Sequence, residues 1–261
     1  MKKVLVAVSM IALAATLSGC KEKVESSSVD PSFEKVKSSG VLVIGSVAVF
    51  PPMVFVDKDS NVVGFDIDLA KEVCSRLGLR LKIQEIVWAN KEEDLYSGRI
   101  DCIWNGMSVD SARAKTMNLS DPYLTNRMVF VVKDKSLEHI DMLKEKRLGV
   151  QRASTAQTLL DEIEVDDDAN EIVLFKDLIP EFDALDSGKV DAVYADEVFV
   201  KYWNNLHDKA YTVLDEGSYN EFYAVGFRKQ DQSLRDTINS VLNQLKRDGK
   251  FVELSVKWFG K

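Results

Sequence analysis

Apolar and polar residues alternate along this chain in blocks that predict strands and helices in turn. Runs of β-branched and other apolar residues at 41–47, 80–87 and 99–105 predict strands. Residues 66–77 have the periodicity of an amphipathic helix, and Gly78 is placed to end it. Because the strands are apolar on both faces, the pattern favours a parallel sheet covered by helices, the α/β class.

The second half of the chain repeats this alternation. The segment "DLYSGRIDCIWNG" has an echo in "DALDSGKVDAVYA", where a helix, Ser-Gly, a basic residue, an apolar residue, Asp and a strand follow in the same order. Coincidence between two short helix–strand units is one explanation, and two lobes built alike is the other. In such sheets ligands bind beyond the carboxyl ends of the strands, so the residues directly after strands are the functional candidates.

The N-terminal residues 1–19 have the layout of a secretory signal peptide. Two lysines precede an apolar run at 4–17, which is shorter than the ~20 residues that span a bilayer. The following "LSGC" is similar to the bacterial lipobox, in which Cys20 becomes the acylated first residue; a plain signal peptide or a membrane anchor is the alternative. We therefore expect a protein held to a membrane by lipid, in the periplasm or at the cell surface.

Composition and charge narrow the classes of function. The signal carries two lysines and no acidic residue, so its removal takes the formal net charge from −8 to −10. A net acidic chain without a basic stripe argues against nucleic acid as a partner. His139 and His207 lie in no metal-site or triad pattern, so we expect no metal and no cofactor. Cys74 and Cys102 favour two packed thiols, although an oxidising compartment also permits a disulfide.

The stretch "IWNGMSVDSAR" places an arginine at the start of a predicted helix. Asp110 can cap the helix that begins near Ser111, which leaves Arg113 in the first turn, where the helix dipole disfavours a cation. An anion would stabilise a guanidinium there, and its planar fork suits a carboxylate or a phosphate. Spacing leaves two alternatives open: an ion pair with a neighbouring aspartate, or a bound anionic ligand.

Six motifs give residues 41–261 a resemblance to a known family. In order and spacing they resemble those of the solute-binding proteins of bacterial amino acid ABC importers: "GFDIDLAKEV", "DLYSGRIDCIWNGMSVDSAR", "LSDPY", "LGVQRAST", "VDAVYAD" and "LKRDGKFVELSVKWFG". That family has the type II periplasmic-binding-protein fold, an α/β fold of two lobes. Each lobe is a mostly parallel sheet with flanking helices, and two extended crossovers join the lobes, which close over an amino acid.

The resemblance implies a division of the chain. Residues 33–128 would begin the first lobe, residues 129–222 would form the second, and residues 223–261 would return to the first. The crossovers are expected around residues 128–133 and 223–228. Residues 20–32 are polar and include three consecutive serines, which predicts a flexible linker.

The resemblance also implies how the carboxylate of an amino acid is held. By position, Arg113 is similar to the residue that grips the ligand α-carboxylate in a bidentate pair. Ser154 and Thr155 would offer a hydroxyl and backbone N–H groups to the same carboxylate, at the N-terminus of the following helix. Ser108 and the Gly106 carbonyl would meet the α-ammonium group.

The remaining implied contacts come from both lobes. Asp196 would supply a carboxylate to the ammonium group, with a rival or additional role as N-cap of the helix "EVFVKYW". Phe50 and Trp88 resemble the aromatic walls that sandwich the ligand side chain. The predicted ligand-binding residues are Phe50, Trp88, Asn105, Gly106, Ser108, Arg113, Gln151, Ser154, Thr155 and Asp196.

Departures from the family pattern bear on ligand preference. Many members have Asp where Val47 stands, and that acid contacts polar or cationic side chains. An aromatic is common at Met53, Gly is usual at Ala153, and Ala195 is small and apolar. We therefore expect a ligand with a neutral or polar side chain, while Glu221 is an acid that would rescue a basic one.

The expected partners are the free amino acid and an ABC permease, with the protein acting as a monomer and not as an enzyme. One alternative is a dehydratase-like cleft enzyme, which would need a poised acid or base. Glu92, Glu93 and Asp101 are nearby acids, but no catalytic partner for them emerges. The other alternative is an amino-acid sensor module, whose receptor would normally carry a transmembrane segment.

Overall fold

The structure is a computed structural model that describes residues 30–162, 171–207 and 211–260. The predicted signal peptide and Cys20 lie outside the described residues. The described end of the predicted linker packs on the fold, because Ser233 N donates to Asp30 Oδ2 at 2.5 Å and Ser32 Oγ lies 3.0 Å from Ser233 Oγ. The packed chain therefore begins a few residues before the expected start at residue 33.

Strands and helices alternate as the sequence pattern predicts. The first part of the chain contains α1 (Ser32–Ser39), β1 (Val41–Ser46), β2 (Val49–Phe50), β3 (Val54–Val56), β4 (Val62–Val63), α2 (Phe65–Leu77), β5 (Arg80–Glu85), α3 (Lys91–Tyr96), β6 (Cys102–Ser108), α4 (Ser111–Thr116) and β7 (Met117–Leu119). The second part contains β8 (Leu124–Val132), β9 (Arg147–Gln151), α5 (Thr155–Glu162), β10 (Glu171–Phe175), α6 (Leu178–Asp186), β11 (Ala192–Asp196), α7 (Glu197–His207), β12 (Thr212–Arg228), α8 (Gln232–Arg247) and α9 (Lys250–Phe259).

Two of these elements show how local sequence sets the boundaries. Helix α2 ends where predicted, since Gly78 has the left-handed conformation (φ 67°) and its N–H donates to the Cys74 and Ser75 carbonyls. Strand β6 begins at Cys102 rather than at the predicted residue 99. The residues between belong to the turn after α3, in which Gly98 also has a left-handed φ of 77°.

Nine of the described strands form one mixed sheet, in the order β10-β9-β11-β8-β12-β6-β1-β5, with β7 paired to β12. Strands β5, β1 and β6 are parallel neighbours at one end, and β10, β9 and β11 at the other. We call these ends, with their helices, the first and second lobes. Between them, β8 and β12 run antiparallel to each other and to their outer neighbours.

Strands β8 and β12 carry the chain between the lobes. Residues 124–128 of β8 pair with residues 219–223 of β12. Beyond this stretch, β8 pairs with β11 in the second lobe and β12 pairs with β6 in the first. The crossing therefore lies a few residues before the segments that the resemblance implied, 128–133 and 223–228.

The echo between the two halves corresponds to one local structure used twice. In the first lobe Val43 N donates to Asp101 Oδ2, and Asp101 N donates to Val43 O, both at 2.8 Å. In the second lobe Arg147 N donates to Asp191 Oδ2 at 2.9 Å, and Asp191 N donates to Arg147 O at 2.8 Å. Each aspartate thus joins the start of its strand to the neighbouring parallel strand, so the two lobes are built alike.

The main core is apolar and contains both predicted thiols. Cys74 and Cys102 are free and buried, and burial raises the pKa of the Cys74 thiol to about 12. These cysteines act as small core residues, as the sequence favoured. Among the described helices, none combines the length and apolar composition that crossing a bilayer requires.

Candidate functional site

A cavity with about 430 Å³ of empty space lies between the two lobes. All ten predicted ligand-binding residues line it, although they come from loops and strand ends far apart in the chain. Four apolar residues complete the lining: Val47, Val49, Met128 and Leu178.

Arg113 is held at the cavity by the start of α4. Asp110 caps this helix as predicted, since Arg113 N donates to Asp110 Oδ1 at 2.8 Å. The Arg113 guanidinium donates to the Ser108 carbonyl at 2.8 Å, and its Nε lies 3.2 Å from Asp110 Oδ2. The residue is only 6% exposed, and burial lowers its pKa. Both alternatives left open by spacing therefore meet at one residue, which is paired with an aspartate and also lines the cavity.

The loop of Asn105 and Gly106 brings backbone close to the cavity. Val47 N donates to Asn105 Oδ1 at 2.7 Å, which fixes the end of β1 against β6. Gly106 has a φ of 56°, and a Cβ there would lie 2.6 Å from a ring carbon of Phe50. Gly106 N donates to Asp66 Oδ2 at 2.6 Å, and burial raises the pKa of Asp66 to about 7. Only glycine fits this turn beneath the aromatic ring.

Aromatic rings form the walls of the cavity and join the lobes. Phe50 of the first lobe lies 6.3 Å, centroid to centroid, from Phe199 on α7 of the second lobe. The same ring packs edge-on to Tyr223 of β12 at 6.4 Å. Phe50 therefore contacts both the second lobe and one of the crossing strands.

Trp88 has cations beside its ring. Arg113 Cζ lies 5.5 Å and Lys91 Nζ 4.7 Å from the ring centroid. The indole Nε1 is buried and has no hydrogen-bond partner among the described residues. An acceptor on a bound molecule would satisfy this donor.

The second lobe contributes the start of α5. The Ser154 hydroxyl donates to the Gln151 carbonyl at 2.7 Å and accepts from Gln157 N at 3.1 Å, so it caps the helix. The Thr155 hydroxyl donates across the cleft to Asp110 Oδ2 at 3.4 Å. Because both hydroxyls have protein partners, the groups left to meet an anion are the first backbone N–H groups of the helix.

Asp196, at the end of β11, is oriented by the crossing strands. Asn126 Nδ2 of β8 donates to Asp196 Oδ1 at 2.8 Å, and the Tyr223 hydroxyl of β12 donates to the same oxygen. Val198 N, in the first turn of α7, donates to Asn126 Oδ1 at 3.2 Å. The expected role of Asp196 as the cap of α7 therefore passes to Asn126, which frees the carboxylate to line the cavity.

A second acid, Glu221 of β12, lies directly behind Asp196. Asn126 Nδ2 donates to Glu221 Oε1 at 2.5 Å, and Asn126 faces Glu221 across the β8–β12 ladder. Burial and the charge of Asp196 raise the pKa of Glu221 to about 8, and burial also raises the pKa of Asp196. Burial and their mutual repulsion thus favour the protonated form at this pair of carboxyl groups.

Sequence reasoning missed several residues that support the site: Asp66, Lys91, Asn126 and Tyr223. Tyr223 begins the second segment that was assigned only as a crossover, and Asn126 lies between "LSDPY" and the first such segment, where no role was assigned. Asn126 has the polar neighbours Thr125 and Arg127, so no apolar alternation marked it in the sequence.

Comparisons with known proteins agree with this geometry. A model of the bacterial extracellular solute-binding proteins, family 3, matches residues 42–261. The L-cystine-binding protein TcyA of Bacillus subtilis (strain 168) is 27% identical over 270 residues, with 100% of this chain and 98% of that protein covered.

Two solved structures match over most of their length. Tv2483 bound to L-arginine has a TM-score of 0.85 and 32% identity, covering 89% of this chain and 96% of that one. An ABC uptake transporter substrate-binding protein from Streptococcus pneumoniae with bound histidine has a TM-score of 0.85 and 32% identity, covering 89% and 97%. These likenesses confirm the expected two-lobe α/β fold.

Replacing Glu221 should change how stability depends on pH. The pKa of Glu221 is about 8 in the folded protein against an ordinary value of 4.5. Between these values the folded state binds a proton that the unfolded state has lost, so the free energy of unfolding falls as pH rises. This group should make the free energy of unfolding fall by up to about 1.4 kcal/mol for each unit that the pH rises. Glu221→Gln should remove that contribution.

Urea unfolding of both proteins at pH 5, 6, 7 and 8, without added amino acid, measures this effect. The other buried acids titrate in both proteins, so the difference reports the Glu221–Asp196 pair. Glu93→Gln, at an exposed position of α3, is the matched control and should follow the unaltered protein. Parallel curves for Glu221→Gln and the unaltered protein would rule out a raised pKa at Glu221.

Proposed function

The chain belongs to the bacterial extracellular solute-binding proteins of family 3, and from this we propose that it captures a free amino acid between its lobes for an ABC permease. The family operates outside the cytoplasmic membrane, and the permease partner would lie in that membrane. We expect the protein to act as a monomer, because one chain supplies both walls of the cavity.

One observation carries the proposal: a buried cation of the first lobe and a half-buried acid of the second line the same cavity. Arg113 would bind the α-carboxylate, and Asp196 would bind the α-ammonium group. Both poles of a zwitterion lose hydration when they leave water, so each needs a hydrogen-bonded partner of opposite charge. The backbone N–H groups at Thr155 would add donors to the carboxylate, and Ser108 would add an oxygen to the ammonium.

The division of these groups between lobes supports capture by closure. Arg113 and Ser108 belong to the first lobe, whereas Thr155 and Asp196 belong to the second. A ligand that contacts both sets binds the closed arrangement more tightly than an open one, and so shifts the population toward it. The closed form would then be the state that the permease recognises.

We further propose that the ligand has a neutral or polar side chain. Val47, Val49, Met128 and Leu178 are the apolar residues of the lining, and Val47 stands where many relatives have an acid. The unpaired indole N–H of Trp88 would suit a polar acceptor on the ligand. Asp196 and Glu221, which both accept a hydrogen bond from Asn126, would be committed to the α-ammonium group.

A binding function accounts for the site better than catalysis does. TcyA and both solved relatives are named for binding or uptake. The acids Asp196 and Glu221 share Asn126 as a hydrogen-bond donor, which assigns them to one recognition group rather than to separate acid and base roles. Turnover of a prephenate-like substrate would favour the enzyme alternative instead.

Cys20 is the proposed site of lipid attachment. The apolar run before it and the "LSGC" ending support a lipoprotein signal, and the polar residues that follow would serve as a tether. A lipid anchor would keep the binding protein close to its permease.

The ligand preference can be measured by thermal unfolding in the presence of each standard amino acid and L-cystine. At 100-fold excess over the dissociation constant, a true ligand should add about 2.7 kcal/mol of stability. We expect the largest shift with a neutral or polar amino acid. A shift confined to lysine, arginine and histidine would contradict the preference for a neutral or polar side chain that we infer from Val47. If none of the amino acids produced a shift, the proposed function would be contradicted.

Arg113→Ala should abolish most of the thermal shift produced by the best ligand of that panel. Truncating one partner of a buried charge pair costs about 2–5 kcal/mol of binding, whereas the melting temperature without ligand should change little. Arg99→Ala is the control, since Arg99 pairs with Asp94 in the same lobe but does not line the cavity. Unchanged ligand binding by Arg113→Ala would refute its carboxylate role.

Cys20→Ser should release the protein from membranes. Cell fractionation and incorporation of labelled palmitate would follow the anchor, and both signals should be lost together. Cys74→Ala, which removes a buried core thiol, should remain lipidated and membrane-bound. Lipid incorporation into Cys20→Ser would show that the anchor is elsewhere.

A further inference from the structure

Lys91 is a buried lysine at the cleft that the proposed ligand contacts do not use. It is the first residue of α3 in the first lobe, and it is only 6% exposed. A lysine is seldom buried to this extent unless its ammonium group has partners. The groups that contact the Lys91 ammonium therefore indicate the role of this residue.

The partners of Lys91 lie on both sides of the cleft. Its Nζ donates to the Ala153 carbonyl of the second lobe at 3.3 Å and to the Trp88 carbonyl of the first lobe at 3.4 Å. The same ammonium lies 4.7 Å from the ring centroid of Trp88, a wall of the ligand cavity. One side chain thus ties the cavity wall to the opposite lobe.

The Ala153 carbonyl belongs to a tight corner that leads into α5. Ala153 has a φ of 56°, a left-handed conformation that an alanine adopts only when its surroundings hold it there. Ala153 N donates to Gln157 Oε1 at 2.8 Å, so the corner is fixed to its own helix on one side and to Lys91 on the other. Ser154 and Thr155 follow directly and line the cavity.

Lys91 also adds a positive charge near Arg113, although it does not itself line the ligand cavity. The charged groups that face it are Arg113, Glu92 and Asp110. Burial and the neighbouring Arg113 lower the pKa of Lys91 to about 8, and the charges of Glu92 and Asp110 offset this only in part. An anion seated at Arg113 would offset this lowering further.

We infer that Lys91 is a positioning residue for ligand capture: from the first lobe it holds the Ala153 corner, and through it the start of α5, over the ligand carboxylate. The inference rests on the proposed function, since it needs a carboxylate at Arg113. Lys91 contacts the second lobe only when the lobes are together, so its effect is on the closed complex.

The test compares Lys91→Met, which keeps the length and apolar stem but lacks the donors, with Lys91→Arg, which keeps a cation that can donate and stack on Trp88. Lys115→Met removes an exposed lysine of the neighbouring helix α4 and is the matched control. The probe is the amino acid that binds the unaltered protein most tightly in the panel of standard amino acids and L-cystine.

Lys91→Met should weaken binding about 10-fold or more, mostly by faster dissociation measured in stopped flow, because the charged hydrogen bond from Lys91 to the Ala153 carbonyl links the lobes only in the closed complex. Lys91→Arg should restore most of the affinity, and the melting temperature without ligand should be the same in all variants. These results together distinguish a positioning role from a general structural one.

Different failures point to different errors. If Arg113→Ala loses binding while Lys91→Met binds and dissociates like the unaltered protein, the inference about Lys91 is wrong and the proposed function stands. If Lys91→Met and Lys91→Arg are equally impaired, simple packing explains the residue and the inference is also wrong. If the unaltered protein binds no amino acid in the panel, the proposed function is wrong, and the inference about Lys91, which depends on it, is wrong too.

Discussion

Burial of opposite charges between two lobes constrains the rest of this structure. Arg113 is buried at the cavity and Asp196 is half-buried there, and a charge without a partner in such a place is costly. Each has a partial partner in the protein: Asp110 for the arginine, and Asn126 with Tyr223 for the aspartate. A zwitterion supplies the missing counter-charges to both at once, so it favours the closed arrangement.

The acid that would hold the ammonium group is connected to the parts of the chain that must move. Asn126 and Tyr223 lie on the crossing strands, and both donate to Asp196 in the second lobe. Glu221 shares the same asparagine, and its raised pKa lets a proton stand in for a cation. The Asp196 carboxylate, the proposed partner of the ammonium group, is therefore in direct contact with the strands about which the lobes would turn.

Apolar contacts give the cleft its shape, while polar groups give it direction. Phe50 packs on Phe199 across the lobes and on Tyr223 of β12, and the turn at Gly106 leaves room for its ring. Such apolar contacts are nondirectional, so they would stabilise the closed arrangement without distinguishing one ligand from another. The hydrogen bonds at Ser108, Thr155 and Asp196, whose geometry is narrow, restrict what can bind.

The sequence by itself determined the order of elements, the caps at Gly78 and Asp110, and the repeated aspartate turn at Asp101 and Asp191. The caps depend on neighbours within a few residues, which local propensity and pattern record, whereas the two aspartates appear in the sequence only as a recurring motif, and their bonds to Val43 and Arg147 are long-range. The resemblance added the ten cavity residues at strand ends. Only the tertiary structure decided the roles of Lys91, Asn126 and Glu221, because their contacts depend on the register of β8 with β12 and on the approach of two lobes. Such long-range contacts leave no periodic signal in a single chain.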